Sequence, residues 1–232
     1  MSFALASCAH MPAPVTMPSE ITAALPQTCR QVVYVTATDD RATAAELRML
    51  QRTPDGAWTT AAEAIPVRIG RNGLAWGVGE PALPAPTGLR IKQEGDGCAP
   101  IGIFRITTAF GTEPPPGGLR LPYIRCTAHH FGIDDPRSRF YNHIVDDRDV
   151  ACDWTNPETM IPSSGCYQLG AVIANNPNNT PGRGSCIFFH LWQSENTPTS
   201  GCTAMSEPNL RKMLTWLDPA ADPRLVQILQ PR

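Results

Sequence analysis

The sequence predicts a mainly β domain, and three observations lead to this prediction. Short segments of β-branched and aromatic residues recur along the chain, with turn residues between them. The 232 residues include 24 prolines and 18 glycines, which limit the length of helices. A single segment near the C-terminus has the apolar spacing of an amphipathic helix. Apolar residues make up 42% of the chain, enough to fill a core.

The N-terminal residues have some features of a targeting segment. Residues 5–8, Leu-Ala-Ser-Cys, resemble the bacterial lipobox, so Cys8 is a candidate for lipidation and membrane anchoring. The basic and apolar regions that normally precede a lipobox are short or missing, and an ordinary chain terminus is the alternative. Residues 10–27 are proline-rich and predict a tether. We therefore divide the chain into a possible truncated lipoprotein signal with a tether (1–28) and one domain (29–232).

Folding signals begin after Cys29. Strands are predicted from β-branched and apolar runs at 31–36, 67–70, 103–107, 169–174, 185–192 and 225–229. Residues 45–51 fit a strand or a short helix, and a turn at 56–58 leads into the next element.

One helix is predicted from Glu207 to Leu217. Ser206 stands at its N-cap position, and Pro219 ends it. One apolar face is formed by Leu210, Met213, Leu214 and Leu217.

Charge argues against nucleic-acid binding, and hydropathy argues against a membrane-spanning helix. The formal net charge is −2 and the chain has no polybasic run, so nucleic-acid binding is not expected. No apolar run approaches the roughly 18 residues that a membrane-spanning helix needs.

Eight cysteines indicate an oxidising compartment. Setting aside Cys8 and Cys202 leaves an even set that allows three disulfides of unspecified pairing: Cys29, Cys98, Cys126, Cys152, Cys166 and Cys186. A Cys126–Cys152 disulfide is expected around the polar segment between them. Cys126 and His129 have near zinc-ligand spacing, but no second pair accompanies His143 and Cys152, so no metal site is predicted.

The glycine-rich segment after Lys92 allows two interpretations. Lys92, Glu94 and Asp96 are either solvated turn charges or the wall of a site, and composition favours solvated charges.

The candidate catalytic residues lie in the segment 185–205. Cys202 follows a Ser-Gly turn, and His190 ends an apolar run twelve residues earlier. A thiol needs a base to take its proton, and Gly201 allows a tight turn whose backbone N–H, with that of Cys202, can face a developing oxyanion. Cys186 shares strand parity with His190 but would lie roughly 13 Å away along one strand, too far for activation. A structural half-cystine and a core histidine are the alternative interpretation.

Several motifs together resemble the L,D-transpeptidase catalytic domain (YkuD) family. They are His190, the Thr199–Cys202 turn, the loop from Glu94 to Phe104, and the polar set Asp134, Asp135, Ser138, Tyr141 and Asn142. The commonest family form has a second histidine and an arginine where this chain has Ser200 and Ala204.

This resemblance implies a β-sandwich with a short C-terminal helix and the catalytic cysteine in a cleft. It implies that Cys202 attacks peptidoglycan peptide stems with His190 as proton acceptor and donor, that no cofactor is needed, and that the protein works in the periplasm or cell envelope. Ser200, Tyr167 and Asn175 are candidates for the substrate wall. Resolution of the thioester by water, giving an L,D-carboxypeptidase, and an inactive peptidoglycan-binding lipoprotein are the alternatives. A papain-like peptidase is disfavoured, because its cysteine precedes its histidine.

Overall fold

The computed structural model describes residues 14–231, and strands form most of their regular structure. The strands are β1 (Gln31–Ala37), β2 (Ala44–Arg52), β3 (Trp58–Thr60), β4 (Ile65–Arg68), β5 (Leu74–Trp76), β6 (Ala99–Gly111), β7 (Tyr123–Arg125), β8 (His130–Gly132), β9 (Ile144–Asp146), β10 (Glu158–Thr159), β11 (Leu169–Ile173), β12 (Phe188–Leu191), β13 (Thr203–Met205) and β14 (Arg224–Leu229). The helical segments are α1 (Ser19–Ala24), α2 (Glu207–Trp216) and a 3-10 turn (Pro219–Ala221). The predicted mainly β fold with a short C-terminal helix is confirmed.

The main sheet has 11 strands and closes on itself. Its strands follow the order β1-β14-β6-β11-β12-β13-β4-β2, and β2 pairs with β1 to complete the circuit. The short strands β3, β5 and β7 pair with β2 or β6 outside that circuit. A separate 3-stranded sheet has the order β10-β8-β9. Because a closed sheet has few free edges, its interior can hold one continuous core.

The strands at the centre of this sheet are apolar on both faces. Val32, Val33 and Val35 of β1 are all fully buried between β2 and β14. Phe104 of β6 and Phe189 of β12 belong to the same large core. β-branched and aromatic side chains suit such a pleated, buried surface, so the sequence pattern that predicted these strands also stabilises them.

A second, smaller apolar cluster lies beside the large one. It contains Phe110, Cys126, Met160, Tyr167, Cys186, Phe188 and Cys202. Its aromatic rings meet edge to face, with centroids 5.0 Å apart for Phe110 and Phe188 and 5.6 Å apart for Tyr167 and Phe188. Met160 follows β10, so this cluster connects the main sheet to the small one. The candidate nucleophile Cys202 therefore sits in packed surroundings.

Helix α2 buries the predicted apolar face, because Leu210, Met213 and Leu214 are fully buried. Ser206 occupies the N-cap position in extended conformation, but its side chain makes no capping hydrogen bond. The helix ends one residue before the predicted Leu217. No helix among residues 14–231 is long and apolar enough to cross a membrane.

The tether predicted for residues 10–27 is wrong for the part that the structure describes. Residues Ser19–Ala24 form α1, and Met17, Ile21 and Leu25 are buried in the large core. Val15 N–H donates to the carbonyl of Trp58 at 2.8 Å. The prolines shorten this segment without preventing burial of its apolar side chains. The proposed lipidation site Cys8 lies outside the described residues.

Three strand predictions change. Residues 45–51, left open between strand and helix, lie within the strand β2 (Ala44–Arg52). The strand predicted at 103–107 extends over Ala99–Gly111. The strand predicted at 185–192 is shorter, Phe188–Leu191, because Cys186 has a left-handed backbone with φ +51°. The strand-parity argument for Cys186 is therefore wrong, since Cys186 is not on a strand.

Candidate active site

Two parallel strands bring His190 and Cys202 to the same face of the main sheet. In the register of β12 and β13, His190 pairs with Ala204 and Phe189 with Thr203. Cys202 directly precedes β13, which places it beside Phe188, two positions from His190. The backbone N–H of Phe188 donates to Cys202 Sγ at 3.3 Å, in agreement with this placement. Since side chains alternate along strands, Cys202 and His190 point to the same side.

The turn before Cys202 is held by its own hydrogen bonds. Thr199 Oγ1 donates to the carbonyl of Cys202 at 2.6 Å and accepts from the N–H of Gly201 at 3.1 Å. Arg71 N–H donates to the Thr199 carbonyl at 2.7 Å. Gly201 has φ +144°, a conformation that side-chain-bearing residues rarely adopt. The turn therefore fixes the backbone that presents the thiol.

The predicted oxyanion contact of Gly201 needs correction. Its N–H is already donated to Thr199 Oγ1, so it is not a free donor facing the cleft. The sequence could not show this, because the competing acceptor is a side chain that only the folded turn places there.

The orientation of His190 is set by the backbone. Its Nδ1 lies 2.8 Å from the carbonyl oxygen of Leu191, and its ring meets Tyr167 edge to face at 5.4 Å. A carbonyl only accepts hydrogen bonds, so Nδ1 carries the proton and Nε2 remains an acceptor. Burial lowers the pKa of His190, although the contact with Leu191 opposes this shift. The imidazole is therefore neutral, as a general base requires.

The thiol of Cys202 is also kept neutral. Burial raises the pKa of Cys202 well above the ordinary thiol range, and the carboxyl group of Glu158 adds to this increase. The N–H of Phe188 opposes it by stabilising the thiolate. The thiol and the imidazole are thus both uncharged, so a reaction of this sulfur as a nucleophile would require its proton to move to a base.

Both groups line one cavity of about 530 Å³. Of the predicted wall residues, Ser200 and Tyr167 line this cavity. Ser200 Oγ accepts a hydrogen bond from Arg71 Nη1 at 2.7 Å, and Tyr167 donates its hydroxyl to Glu158 at 2.6 Å. These contacts fix both residues as parts of the cavity wall.

Asn175 does not line this cavity, so its prediction as a substrate-wall residue is wrong. It is fully buried and lines a neighbouring cavity of about 370 Å³. Its side chain accepts from Val78 N–H at 3.2 Å and donates to the carbonyls of Arg183 and Gly184. Asn175 therefore holds the loop after β11 in place.

Lys92 is not a solvated turn charge, contrary to the favoured interpretation, whereas Glu94 and Asp96 are partly exposed. Lys92 is 3% exposed, its Nζ lies 2.5 Å from Asp96 Oδ1, and both Lys92 and Glu94 line the cavity of Cys202. The alternative, a site wall, is what the structure shows for Lys92 and Glu94. Glu158 also lines the cavity and was missed, because no local pattern marks it in its irregular segment.

The predicted disulfides are absent from the described range. All seven cysteines between residues 14 and 231 are free thiols. The Cys126–Cys152 disulfide is wrong, because Cys126 is buried in the second apolar cluster whereas Cys152 is exposed. Counting cysteines could not reveal that Cys126 serves as an apolar core residue.

Cys186 lines the same cavity as Cys202. Its carbonyl oxygen lies 3.6 Å from Cys202 Sγ, so the two residues are neighbours through backbone and sulfur. Burial raises the pKa of the Cys186 thiol well above its ordinary range, with further increases from Glu158, Asp134 and Glu94. Unlike Cys202, Cys186 is not presented by a turn next to β13.

Comparison with known proteins agrees with this geometry. The family model of the L,D-transpeptidase catalytic domain (YkuD) matches residues 58–228, most of the chain, including His190 and Cys202. No curated protein matches the chain. The match thus accompanies a mainly β fold with a closed sheet, in which the turn before Cys202 lies beside the strand that carries His190. The match begins at β3, so β1 and β2 lie outside it. The chain belongs to the L,D-transpeptidase catalytic domain (YkuD) family.

Proposed function

We propose that this protein is a cysteine-dependent L,D-transpeptidase that acts on peptidoglycan peptide stems through a thioester acyl-enzyme. One observation carries the proposal: Cys202 and a neutral His190, oriented by the Leu191 carbonyl, line the same cavity. The family to which the chain belongs supports peptidoglycan as the substrate class.

In the first half-reaction, Cys202 Sγ attacks the carbonyl carbon of the third stem residue. His190 Nε2 takes the thiol proton as the carbon–sulfur bond forms. The backbone N–H of Cys202 is the proposed donor to the oxyanion, since that of Gly201 is engaged by Thr199. The intermediate then breaks its carbon–nitrogen bond, and the departing D-alanine takes the proton from Nε2.

In the second half-reaction, an amine from another stem or from an envelope lipoprotein attacks the thioester. Its proton passes to Nε2, the carbon–sulfur bond breaks, and the sulfur recovers the proton from Nε2. The product is a cross-link or an anchored protein. Attack by water instead would make the enzyme an L,D-carboxypeptidase.

We place this activity in the periplasm or cell envelope, where peptidoglycan is found. Anchoring through a lipidated Cys8 is part of the same proposal, supported by the lipobox-like residues 5–8.

Mass spectrometry of muropeptides incubated with the purified protein tests the proposal. Cross-linked dimers support transpeptidation, and loss of the fourth residue without dimers supports carboxypeptidation. Unchanged muropeptides that still bind the protein would support the inactive binding protein and contradict the enzyme. The same incubation with Cys202→Ala is the control for contaminating activities.

A further inference from the structure

Three carboxylates line the cavity that contains Cys202 and His190. They belong to Glu94, Asp134 and Glu158. Glu94 follows the buried Lys92, Asp134 follows β8, and Glu158 opens β10, so three separate chain segments deliver them. Such convergence does not follow from local sequence and depends on the tertiary fold.

No cation neutralises these groups within residues 14–231. None of the three forms an ion pair with a lysine, arginine or histidine of the described chain. Lys92 lines the cavity too, but its ammonium group is paired with Asp96 at 2.5 Å. Acidic side chains therefore outnumber basic ones in the lining of this cavity.

Neutral donors hold two of the carboxylates in place. Glu158 accepts from the hydroxyl of Tyr167 at 2.6 Å, and Glu94 accepts from Ser185 Oγ at 2.8 Å and from the hydroxyl of Tyr141. Hydroxyl donors orient a carboxylate without cancelling its charge. The carboxylates of Glu94 and Glu158 are thus fixed in position without a compensating positive charge.

The arrangement is electrostatically costly for the protein alone. Burial raises the pKa of Glu158, and the charges of Asp134 and Glu94 raise it further. The pKa of Asp134 is raised in the same way, first by burial and then by Glu94 and Asp135. A bound cation would offset both the burial and the repulsion.

A feature outside the three carboxylates also indicates that this cavity receives a ligand. His190 is nine-tenths buried, its Nδ1 is used by Leu191, and its Nε2 has no hydrogen-bond partner among the described residues. Nε2 is not sealed in the protein interior, and His190 lines the cavity. A buried acceptor left free beside a thiol is expected to meet a bound molecule.

The geometry favours an organic cation over a metal ion. Within residues 14–231, no three histidine, cysteine or carboxylate side chains are grouped to hold a metal. An ammonium group donates three hydrogen bonds over a broader arc and suits carboxylates spread along a wall.

We propose that Asp134 and Glu158, with Glu94 behind them, form a subsite for the free ammonium group of a stem peptide next to Cys202. This proposal rests on the proposed function for the identity of the peptide, and the cavity's charge alone requires only an amine-bearing ligand. The amine can belong to the stem that acylates Cys202 or to the stem that accepts the acyl group.

Binding to the Cys202→Ala protein tests the subsite without turnover. The probes are a stem tripeptide with a free side-chain amine and the same peptide with that amine acetylated. We expect calorimetry to show about tenfold weaker binding of the acetylated peptide, the order of effect for a lost, partly buried charge contact. Adding Asp134→Asn or Glu158→Gln should weaken the free-amine peptide similarly and leave the acetylated one unchanged.

Glu63→Gln provides the matched control, because Glu63 is exposed and lies outside the cavity. Equal binding of the two peptides, or no effect of both cavity variants, overturns the proposal. Displacement of both peptides alike by Ca²⁺ would assign the wall to a metal and would also overturn it. Melting curves of each variant verify folding. The Asp134 carboxylate accepts no hydrogen bond from another side chain of the described residues, so Asp134→Asn removes no such contact.

Turnover by the protein with Cys202 intact separates the two sources of the amine. If the donor amine occupies the subsite, acetylating the donor slows thioester formation. If the acceptor amine occupies it, thioester formation is unchanged and Glu158→Gln shifts its resolution from aminolysis to hydrolysis. Amine-dependent binding without any thioester would retain the subsite and refute the transpeptidase.

Discussion

The Nδ1 atom of His190 lies 2.8 Å from the carbonyl oxygen of Leu191, the next residue in the chain. A backbone acceptor cannot ionise, so it fixes the tautomer of the base without adding a charge to the site. The imidazole consequently presents Nε2 to the cavity in one protonation state. This arrangement differs from a triad with a buried carboxylate, which would stabilise an imidazolium.

The pH dependence of thioester formation should show this neutral base. Burial lowers the pKa of His190 below its ordinary 6.5, so the imidazole remains able to accept a proton at pH values where an exposed histidine is charged. The rate should therefore stay level around neutral pH and fall only below about pH 6.5. Single-turnover acylation across this range is the measurement. An acid limb with its midpoint above 6.5 would contradict the assignment.

Cys202 should also react slowly with a simple alkylating agent. Burial raises the pKa of Cys202, so little thiolate exists at neutral pH, and iodoacetamide labelling should accelerate only well into the alkaline range. The rate of mass increase per cysteine, compared with the exposed Cys152, checks this. Fast labelling of Cys202 at neutral pH would indicate a preformed thiolate–imidazolium pair instead.

Cys202→Ala should abolish the covalent adduct with a tetrapeptide stem, whereas Cys186→Ala should retain it. Both thiols line the cavity, but only Cys202 is presented by the turn beside β13. Intact mass spectrometry after mixing measures the adduct directly. An adduct on Cys202→Ala that disappears in Cys186→Ala would move the nucleophile to Cys186.

The shared placement of Cys202 and His190 could be predicted because it is mostly local. His190 lies near the end of the apolar strand β12, and Gly201 marks the turn directly before Cys202, twelve residues further along the chain. The parallel pairing of β12 and β13 then needs only one short crossover. The helix face of Leu210, Met213 and Leu214 was likewise visible in the residue spacing.

The remaining features depend on distant contacts that a sequence does not reveal. Glu158 reaches the cavity only because β10 pairs with β8 in the small sheet. Asn175 lies in a loop by its sequence, but its side chain is buried and bonds to backbone groups of other residues. Ile21 was assigned to a tether because the prolines around it interrupt the short apolar pattern. The core that buries Ile21 forms only when the sheet closes.

Thr199→Val should destabilise the cysteine turn. The hydroxyl satisfies both the carbonyl of Cys202 and the N–H of Gly201, and valine keeps its shape without its hydrogen bonds. We expect a loss of about 1–3 kcal/mol in the free energy of unfolding, the cost of leaving buried polar groups unpaired. Urea denaturation measures it. Thr199→Ser retains the hydroxyl, and an equal loss in this control would show that packing of the methyl group matters instead.

Gly201→Ala tests the backbone of the same turn. Gly201 has φ +144°, and a Cβ there would lie 3.0 Å from the carbonyl oxygen of Cys98. Alanine must therefore adopt a strained conformation or move the turn that carries Cys202, at a cost of about 1–3 kcal/mol in unfolding free energy. Thioester formation should slow as well, because the sulfur is displaced from His190.

Gly117→Ala is the matched control for this substitution, since a Cβ at Gly117 meets nothing within 4 Å. That variant should unfold within about 0.5 kcal/mol of the wild-type protein, as exposed substitutions usually do. Urea denaturation and single-turnover acylation of both variants give the comparison. If Gly201→Ala retains both wild-type stability and wild-type acylation, the turn does not position the nucleophile, and Cys202 would have to be held by its contacts with Phe188 and Cys186 alone.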